Sequence, residues 1–263
     1  MSLTAAAVGV LSAATPADKL RLTGEAAAAW ASGAIGRIGD SLPPDRPARP
    51  PLPLILPPNR MPRRGTGGVP GRIALLHALA HIEFNAIDLA WDIIARFAGA
   101  GLPREFHDDW VTVAVEEARH FQALEAALNG LGSGYGAEPA HDGLWEAAAK
   151  TAGDLRERLA VVPMTLEARA LDTAPNSIRR LAEAGETATA AMLTGIFTDE
   201  ISHVATGVRW FEILCRAAGE DPITAYQTIL RRHFTKGLKA PFNLEARRQA
   251  GFPPAYYQDL ARP

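Results

Sequence analysis

Two short stretches of the chain carry the same pair of metal-binding side chains. Val115-Glu116-Glu117-Ala118-Arg119-His120 and Thr198-Asp199-Glu200-Ile201-Ser202-His203 each contain Glu-x-x-His. On an α-helix, positions i and i+3 lie about 60° apart around the axis, so Glu117 and His120 reach one point, as do Glu200 and His203. A carboxylate and an imidazole on one helix face form half of a metal site. One such pair arises often by chance; the intervals upstream strengthen the case. Glu83 lies 34 residues before Glu117, and Glu167 lies 33 before Glu200. The order Glu, Glu-x-x-His, Glu, Glu-x-x-His is the ligand set for two metal ions in a four-helix bundle.

Charge balance points the same way. Four ionised carboxylates in an apolar core need neutralisation, because an isolated buried carboxylate costs on the order of tens of kcal/mol. Two divalent cations supply it, with the imidazoles as neutral ligands. Mixed oxygen and nitrogen donors suit iron or manganese, and the lack of thiolates argues against a structural zinc knot. The expected metal ligands are therefore Glu83, Glu117, His120, Glu167, Glu200 and His203, and the expected cofactor is two Fe ions or an Mn/Fe pair. Each motif also has an acid one residue before its ligand, Glu116 and Asp199. Metal-bound histidines need a hydrogen-bond acceptor on the other ring nitrogen. Asp199, more than Glu116, is expected to fill that role.

Four helices must position these side chains. The first is expected over 71–98, where Leu76, Leu79, Ala80, Ile87, Ala90 and Ile94 share the face of Glu83. On its far side His77, His81, Asn85, Asp88 and Asp92 form a polar stripe, expected to hold the crossover or a terminal segment. Gly99-Ala100-Gly101-Leu102-Pro103 turns the chain. The second helix runs to about Gly130, with Trp110, Ala114, Phe121 and Leu124 on the face of Glu117. Glu83 and Glu117 stand equally far from Ala100, so a tight antiparallel hairpin sets them level. Residues 130–143 form a Gly-rich crossover in which His141 and Asp142 read as loop staples. The third helix is expected over 144–172, kinked at Pro163 and broken at Thr173-Ala174-Pro175, with a short helical turn over 176–184. The fourth follows Gly185 and ends near Ala217.

The flanks are less regular. Residues 1–40 read as helical, with Thr15-Pro16-Ala17-Asp18 as a helix start. Residues 43–64 hold nine prolines and must be extended; Leu52, Leu54, Ile55 and Leu56 predict that this arm packs on the body. In the tail, helices are expected over Asp221–Lys236 and Glu245–Ala250, and the aromatics beyond them predict a packed strap. The division is thus a single domain over 1–263: N-terminal helix and Pro-rich arm to 70, four-helix bundle over 71–217, C-terminal strap over 218–263.

With 48% apolar residues and a net charge of −2, the chain supports a sizeable core and has no global basic field for nucleic acid. Arg60, Arg63, Arg64, Arg72 and the pairs Arg179-Arg180, Arg231-Arg232 and Arg247-Arg248 read as solvated faces. Cys215 is the one cysteine, which suits a reducing compartment. The N-terminus lacks the positive flank of a signal peptide, and its Ala-rich run is too short for a bilayer. A soluble cytoplasmic protein, monomer or dimer, is expected.

Several phrases go further than the ligand pattern. His81-Ile82-Glu83, Glu116-Glu117-Ala118-Arg119-His120-Phe121, Tyr135-Gly136-Ala137-Glu138-Pro139, Glu167-Ala168-Arg169-Ala170-Leu171-Asp172, Asp199-Glu200-Ile201-Ser202-His203-Val204 and Pro241-Phe242-Asn243 resemble a bacterial ferritin-like family catalogued as domain of unknown function four hundred and fifty-five. The resemblance covers residues 20–255. It implies an all-α ferritin-like four-helix bundle with a long crossover between its second and third helices, and the six ligands named above. It gives no substrate. Ala170 stands where glycine is expected in the Glu-Ala-Arg motif, on the core face. A more distant likeness in architecture is to tRNA-modifying di-iron hydroxylases, which rests on fold alone.

The chemistry expected of such a centre is oxygen activation, as an oxidase or hydroxylase with Glu167 as the catalytically adjustable ligand. The substrate would be a small molecule or an RNA base, and an electron-donor protein would supply electrons. The alternatives are iron handling, which the arm and tail would obstruct by blocking cage packing, and a purely structural metal.

Overall fold

Side-chain caps fix several of the helix starts. The computed structural model describes residues 1–262. It is all-α: among the described residues, extended pairing is limited to two isolated bridges, Ile55 with Ala140 and Leu238 with Ala261. The chain packs as two units, Met1–Glu146 and Ala147–Pro263.

In the first unit, α1 (Leu3–Leu11) is capped by Ser2 and α2 (Pro16–Ala31) by Thr15, whose hydroxyl accepts the Asp18 N–H at 3.1 Å. These caps satisfy N–H groups that a helix start leaves free. The long α3 (Val69–Arg96) and α4 (Arg104–Gly130) form a hairpin, joined at Gly101, whose φ of +66° suits glycine. By length and composition α3 is apolar enough to cross a membrane, but 72% of its apolar window is buried, as in a core helix.

The polar stripe of α3 does what its composition suggested. His77 Nε2 accepts the Gly136 N–H at 2.9 Å, and His81 Nδ1 pairs with the Tyr135 hydroxyl at 2.9 Å, which ties down the crossover. Asn85 Oδ1 accepts from Arg49 at 2.7 Å, and Arg96, paired with Asp92, donates to the Pro44 carbonyl at 3.0 Å. Asp88 pairs with the fully buried Lys19 of α2. Arg46 binds Asp142 at 2.7 Å, and the Gly143 N–H reaches His141 Nδ1, so these two residues staple the loop. The arm is therefore held by arginines and by backbone bonds between Leu54, Leu56 and Ala140. The apolar packing expected of Leu52, Leu54 and Ile55 is not found: all three are more than half exposed.

In the second unit the expected third helix is cut in a different place. After α5 (Gly143–Lys150) the chain breaks at Thr151–Asp154 and restarts as α6 (Leu155–Val161), capped by Asp154, which accepts the Arg156 N–H at 2.8 Å. The buried Arg158 guanidinium fixes the break by donating to Thr151 Oγ1 at 3.0 Å and the Ala148 carbonyl at 2.6 Å. Pro163 then opens a π-helical segment, Val162–Glu167, before α7 (Ala168–Glu183).

The break expected at Pro175 does not occur, and α7 runs through it. Proline lacks the N–H that would bond the carbonyl four residues back, that of Leu171. Asn243 Nδ2 donates to that carbonyl instead, at 3.1 Å. Ala170 is half-buried, not on a fully buried face. Gly185 leads into α8 (Thr187–Ala217), where Gly207 admits Pro163: a Cβ at Gly207 would stand 2.8 Å from the Pro163 Cβ.

The tail packs as a strap within this unit. It comprises α9 (Pro222–His233), α10 (Leu244–Gln249) and an aromatic cluster of Tyr226, Phe252, Tyr256 and Tyr257. Arg247 grips Asp172 through two bonds, at 2.8 and 2.7 Å, while its guanidinium lies over Tyr257. Arg169 donates to the carbonyls of Lys239 and Pro241. The Arg169–Asp172 and Pro241–Asn243 phrases thus hold each other.

Asn243 also caps α10, accepting the Ala246 N–H at 3.2 Å. Asn243→Ala removes the cap and the donor to Leu171, so it should destabilise by about 2 kcal/mol. Leu52→Ser, at an exposed site, should change stability by less than about 0.5 kcal/mol. Urea unfolding of the two variants checks this; equal midpoints would contradict the role of Asn243.

Candidate metal centre

Glu83 sits at the middle of α3, on one face with the buried Leu76, Ala80, Ile87 and Ala90. Glu117 and His120 project from α4 among Ala114, Phe121 and Leu124. All three are nearly inaccessible, Glu83 at 5%, Glu117 at 1% and His120 at 2% exposure. The hairpin sets Glu83 and Glu117 level, as their equal distance from the turn predicted. His120 Nδ1 lies 3.3 Å from Glu83 Oε2 and 3.5 Å from Glu117 Oε2. One ligand atom from each of the three falls within 4.8 Å of the others. This buried cluster could bind a metal ion.

The electrostatics are those of a cation site. Burial pushes the His120 pKa down. The hydrogen bonds and charges of Glu117 and Glu83 outweigh it and raise the value to about 11. In the metal-free chain a proton on His120 therefore supplies positive charge that a metal would supply more fully. The donors are carboxylate oxygen and imidazole nitrogen, a set that fits iron or manganese. Both imidazoles of the two motifs turn Nδ1 toward the carboxylate.

In the second unit, His203 Nδ1 lies 3.5 Å from Glu200 Oε1, with exposures of 1% and 5%. Glu167 ends the π-helical segment and is half-buried, as is Asp199. Glu116 is half-buried on α4 and lies 4.0 Å from Arg119. The structure thus groups Glu83, Glu117 and His120 in one unit and pairs Glu200 with His203 in the other. Cys215 is a buried free thiol whose pKa burial raises to about 11, so it is unreactive near neutrality.

Sequence reasoning gave no role of its own to Tyr135. Besides its hydroxyl bond to His81, its ring stacks on His77 and packs against Phe84 and Phe121, the latter adjacent to His120. The signal available was an aromatic in a Gly-rich loop, which does not say what it lies on.

Comparison with known proteins agrees with the phrases quoted above. Residues 12–258 match the model of a family described as Protein of unknown function (DUF455). The chain belongs to that family. A member from Haemophilus influenzae, itself an uncharacterised protein, is 41% identical over 212 residues, covering 78% of this chain and 73% of that protein. No solved structure matches.

The raised His120 pKa sets a pH dependence. Its unfolded value is near 6.5 and its folded value about 11. The folded metal-free protein holds the extra proton between these values, so this contribution is full below the lower one and is lost as pH rises toward the upper. Thermal midpoints of the metal-free protein should fall steadily from about pH 7 to pH 9.5, and His120→Asn should flatten the slope. Metal uptake near neutral pH should release about one proton per site, readable with an indicator dye. A flat wild-type profile with no proton release would contradict this picture of the site.

Proposed function

We propose that the chain is a di-metal carboxylate protein of ferritin-like architecture. In this reading α3–α4 and the α6–α7 segment with α8 act as two equivalent hairpins of a four-helix bundle. Each supplies one Glu and one Glu-x-x-His, so that Glu83, Glu117, His120, Glu167, Glu200 and His203 hold two iron ions or an Mn/Fe pair. The observation that carries the proposal is the buried triad of the first unit, three ligand atoms from two helices within 4.8 Å. The repeat of its Glu–His geometry in the second unit supports the rest.

The reaction class we propose is oxygen-dependent oxidation or hydroxylation. Two bound ferrous ions would supply electrons and open positions for oxygen. The chain's own residues bind and orient those ions, exclude water and carry charge. Glu83 and Glu117 hold fixed negative charge on unbroken helices, and His120 yields its proton when a cation enters. Glu167 is set apart, because the π-helical segment that ends on it departs from regular helix geometry. Such segments occur often at functional sites. A carboxylate there changes its binding mode at smaller backbone cost, while Asp199 would accept a hydrogen bond from a ligand histidine. The substrate would be a small molecule or an RNA base, and reduction would come from an electron-donor protein in the cytoplasm.

Metal analysis with oxygen uptake tests this. Protein produced with ample iron and manganese should carry two ions per chain, by the usual two-metal arrangement about 3.5–4 Å apart. His120→Ala should lose most of its metal. Glu167→Ala should keep metal yet consume oxygen at least about tenfold more slowly once Fe(II)-loaded, since it removes a group acting at the reacting centre. One tetrahedral zinc per chain would defeat the di-metal reading. Two Fe(II) per chain with no oxygen uptake, with or without a reductant, would favour a structural metal.

A further inference from the structure

Glu167 is held in place by groups from outside its own helix, and they come from α8 and the strap of the second unit. The segment that ends on it, Val162–Glu167, is π-helical. Hydrogen bonds of that segment span five residues, as where the Ala168 N–H reaches the Pro163 carbonyl. Such turns are rare, so this one needs support to persist. Pro163 accounts for its start, because proline has no N–H to offer the Leu159 carbonyl. The rest of the turn is supported by side chains.

Thr165 Oγ1 donates to the Ala160 carbonyl at 2.7 Å, again across five residues. A threonine hydroxyl has one hydrogen, and this one is spent on Ala160. The Tyr226 hydroxyl, 2.8 Å from Thr165 Oγ1, is therefore the donor to it. A chain of two hydroxyls thus runs from Tyr226 through Thr165 to the Ala160 carbonyl. Its far end is rigid. Tyr226 belongs to α9 and is fully buried, with its ring edge-on to Phe211, Phe252 and Tyr256 at 6.2, 5.4 and 5.6 Å between centres. The strap is in this way tied to the segment that carries Glu167.

The height of that segment is set on α8. Pro163 is seated on Gly207, where a Cβ would lie 2.8 Å from the Pro163 Cβ and 3.0 Å from its Cγ. The short turn at Gly185 makes α7 and α8 antiparallel neighbours. Glu167 lies four residues after Pro163, and His203 lies four before Gly207. In an antiparallel pair these two steps run the same way, so Glu167 comes level with His203, about one turn from the Pro163–Gly207 contact. We propose that Tyr226 and Thr165 are positioning residues for Glu167: their hydroxyl chain holds the π-helical turn in the register that presents its carboxylate beside Glu200 and His203. This role rests on the di-metal reading, in which those three side chains surround the second ion. Neither hydroxyl touches metal, so both act only through Glu167.

The test is titration of the full-length, metal-free protein with Mn(II), read from the EPR signal of the free ion. Wild type should bind two ions. Tyr226→Phe keeps the ring and Thr165→Val keeps the shape, while each removes a hydroxyl. Each should weaken the second ion by at least about threefold, the effect of one lost hydrogen bond. Thr165→Ser should restore the wild-type curve. Glu167→Ala, which keeps metal at saturation, should weaken the same ion, and Tyr226→Phe added to it should change nothing further. A hydroxyl with a merely structural role would act to the same extent with and without Glu167. The positioning role is overturned, with the di-metal reading intact, if wild type binds two ions and either hydroxyl variant titrates like it, if Thr165→Ser fails to restore the curve, or if Tyr226→Phe acts fully in the Glu167→Ala background. Fewer than two ions on the wild type would overturn the di-metal reading, and the positioning role with it.

Discussion

Two carboxylates buried beside one imidazole govern the first unit. Glu83 and Glu117 have almost no contact with water, and both approach the same nitrogen of His120. The apolar faces of α3 and α4 close over them, so the charge has to be balanced inside. A proton on His120 balances part of it, and a divalent cation balances it fully. Such a cluster could hold a cation, and its oxygen and nitrogen donors suit a hard or borderline metal.

The same helix carries a second electrostatic problem on its opposite side, with a different solution. There Asp88, Asp92 and Asn85 meet Lys19, Arg96 and Arg49, which come from α2, from α3 itself and from the proline-rich arm. These charges are paired by protein groups, so the stripe fastens the arm and crossover instead of binding metal. The distinction is one of complement. Asp88 and Asp92 of the polar stripe each pair with a lysine or arginine, whereas Glu83 and Glu117 approach an imidazole.

What could be read from the sequence was whatever depends on helix period and turn position. The Glu-x-x-His spacing and the equal distances of Glu83 and Glu117 from Ala100 placed three side chains together, because a tight hairpin of regular helices leaves little freedom. The polar stripe of α3 was read correctly for the same reason. The third helix was misread because its continuity depends on distant partners. Asn243 rescues the Leu171 carbonyl across Pro175, and Arg158 anchors a break at Thr151–Asp154 that local propensity only hinted at through Gly153 and Asp154. The arm is held on the body as expected, but by other groups: its leucines suggested apolar packing, while Arg46, Arg49 and backbone bonds to Ala140 do the anchoring.

The central claim is that these glutamates and histidines hold two metal ions. The most direct measurement is anomalous scattering from crystals of protein grown with iron and manganese, collected on both sides of each metal's absorption edge. Two peaks per chain are expected, one in contact with Glu83, Glu117 and His120, the second about 3.5–4 Å from it with Glu167, Glu200 and His203 around the pair. A single peak, or peaks remote from Glu117 and His120 in protein shown to contain metal, would contradict it.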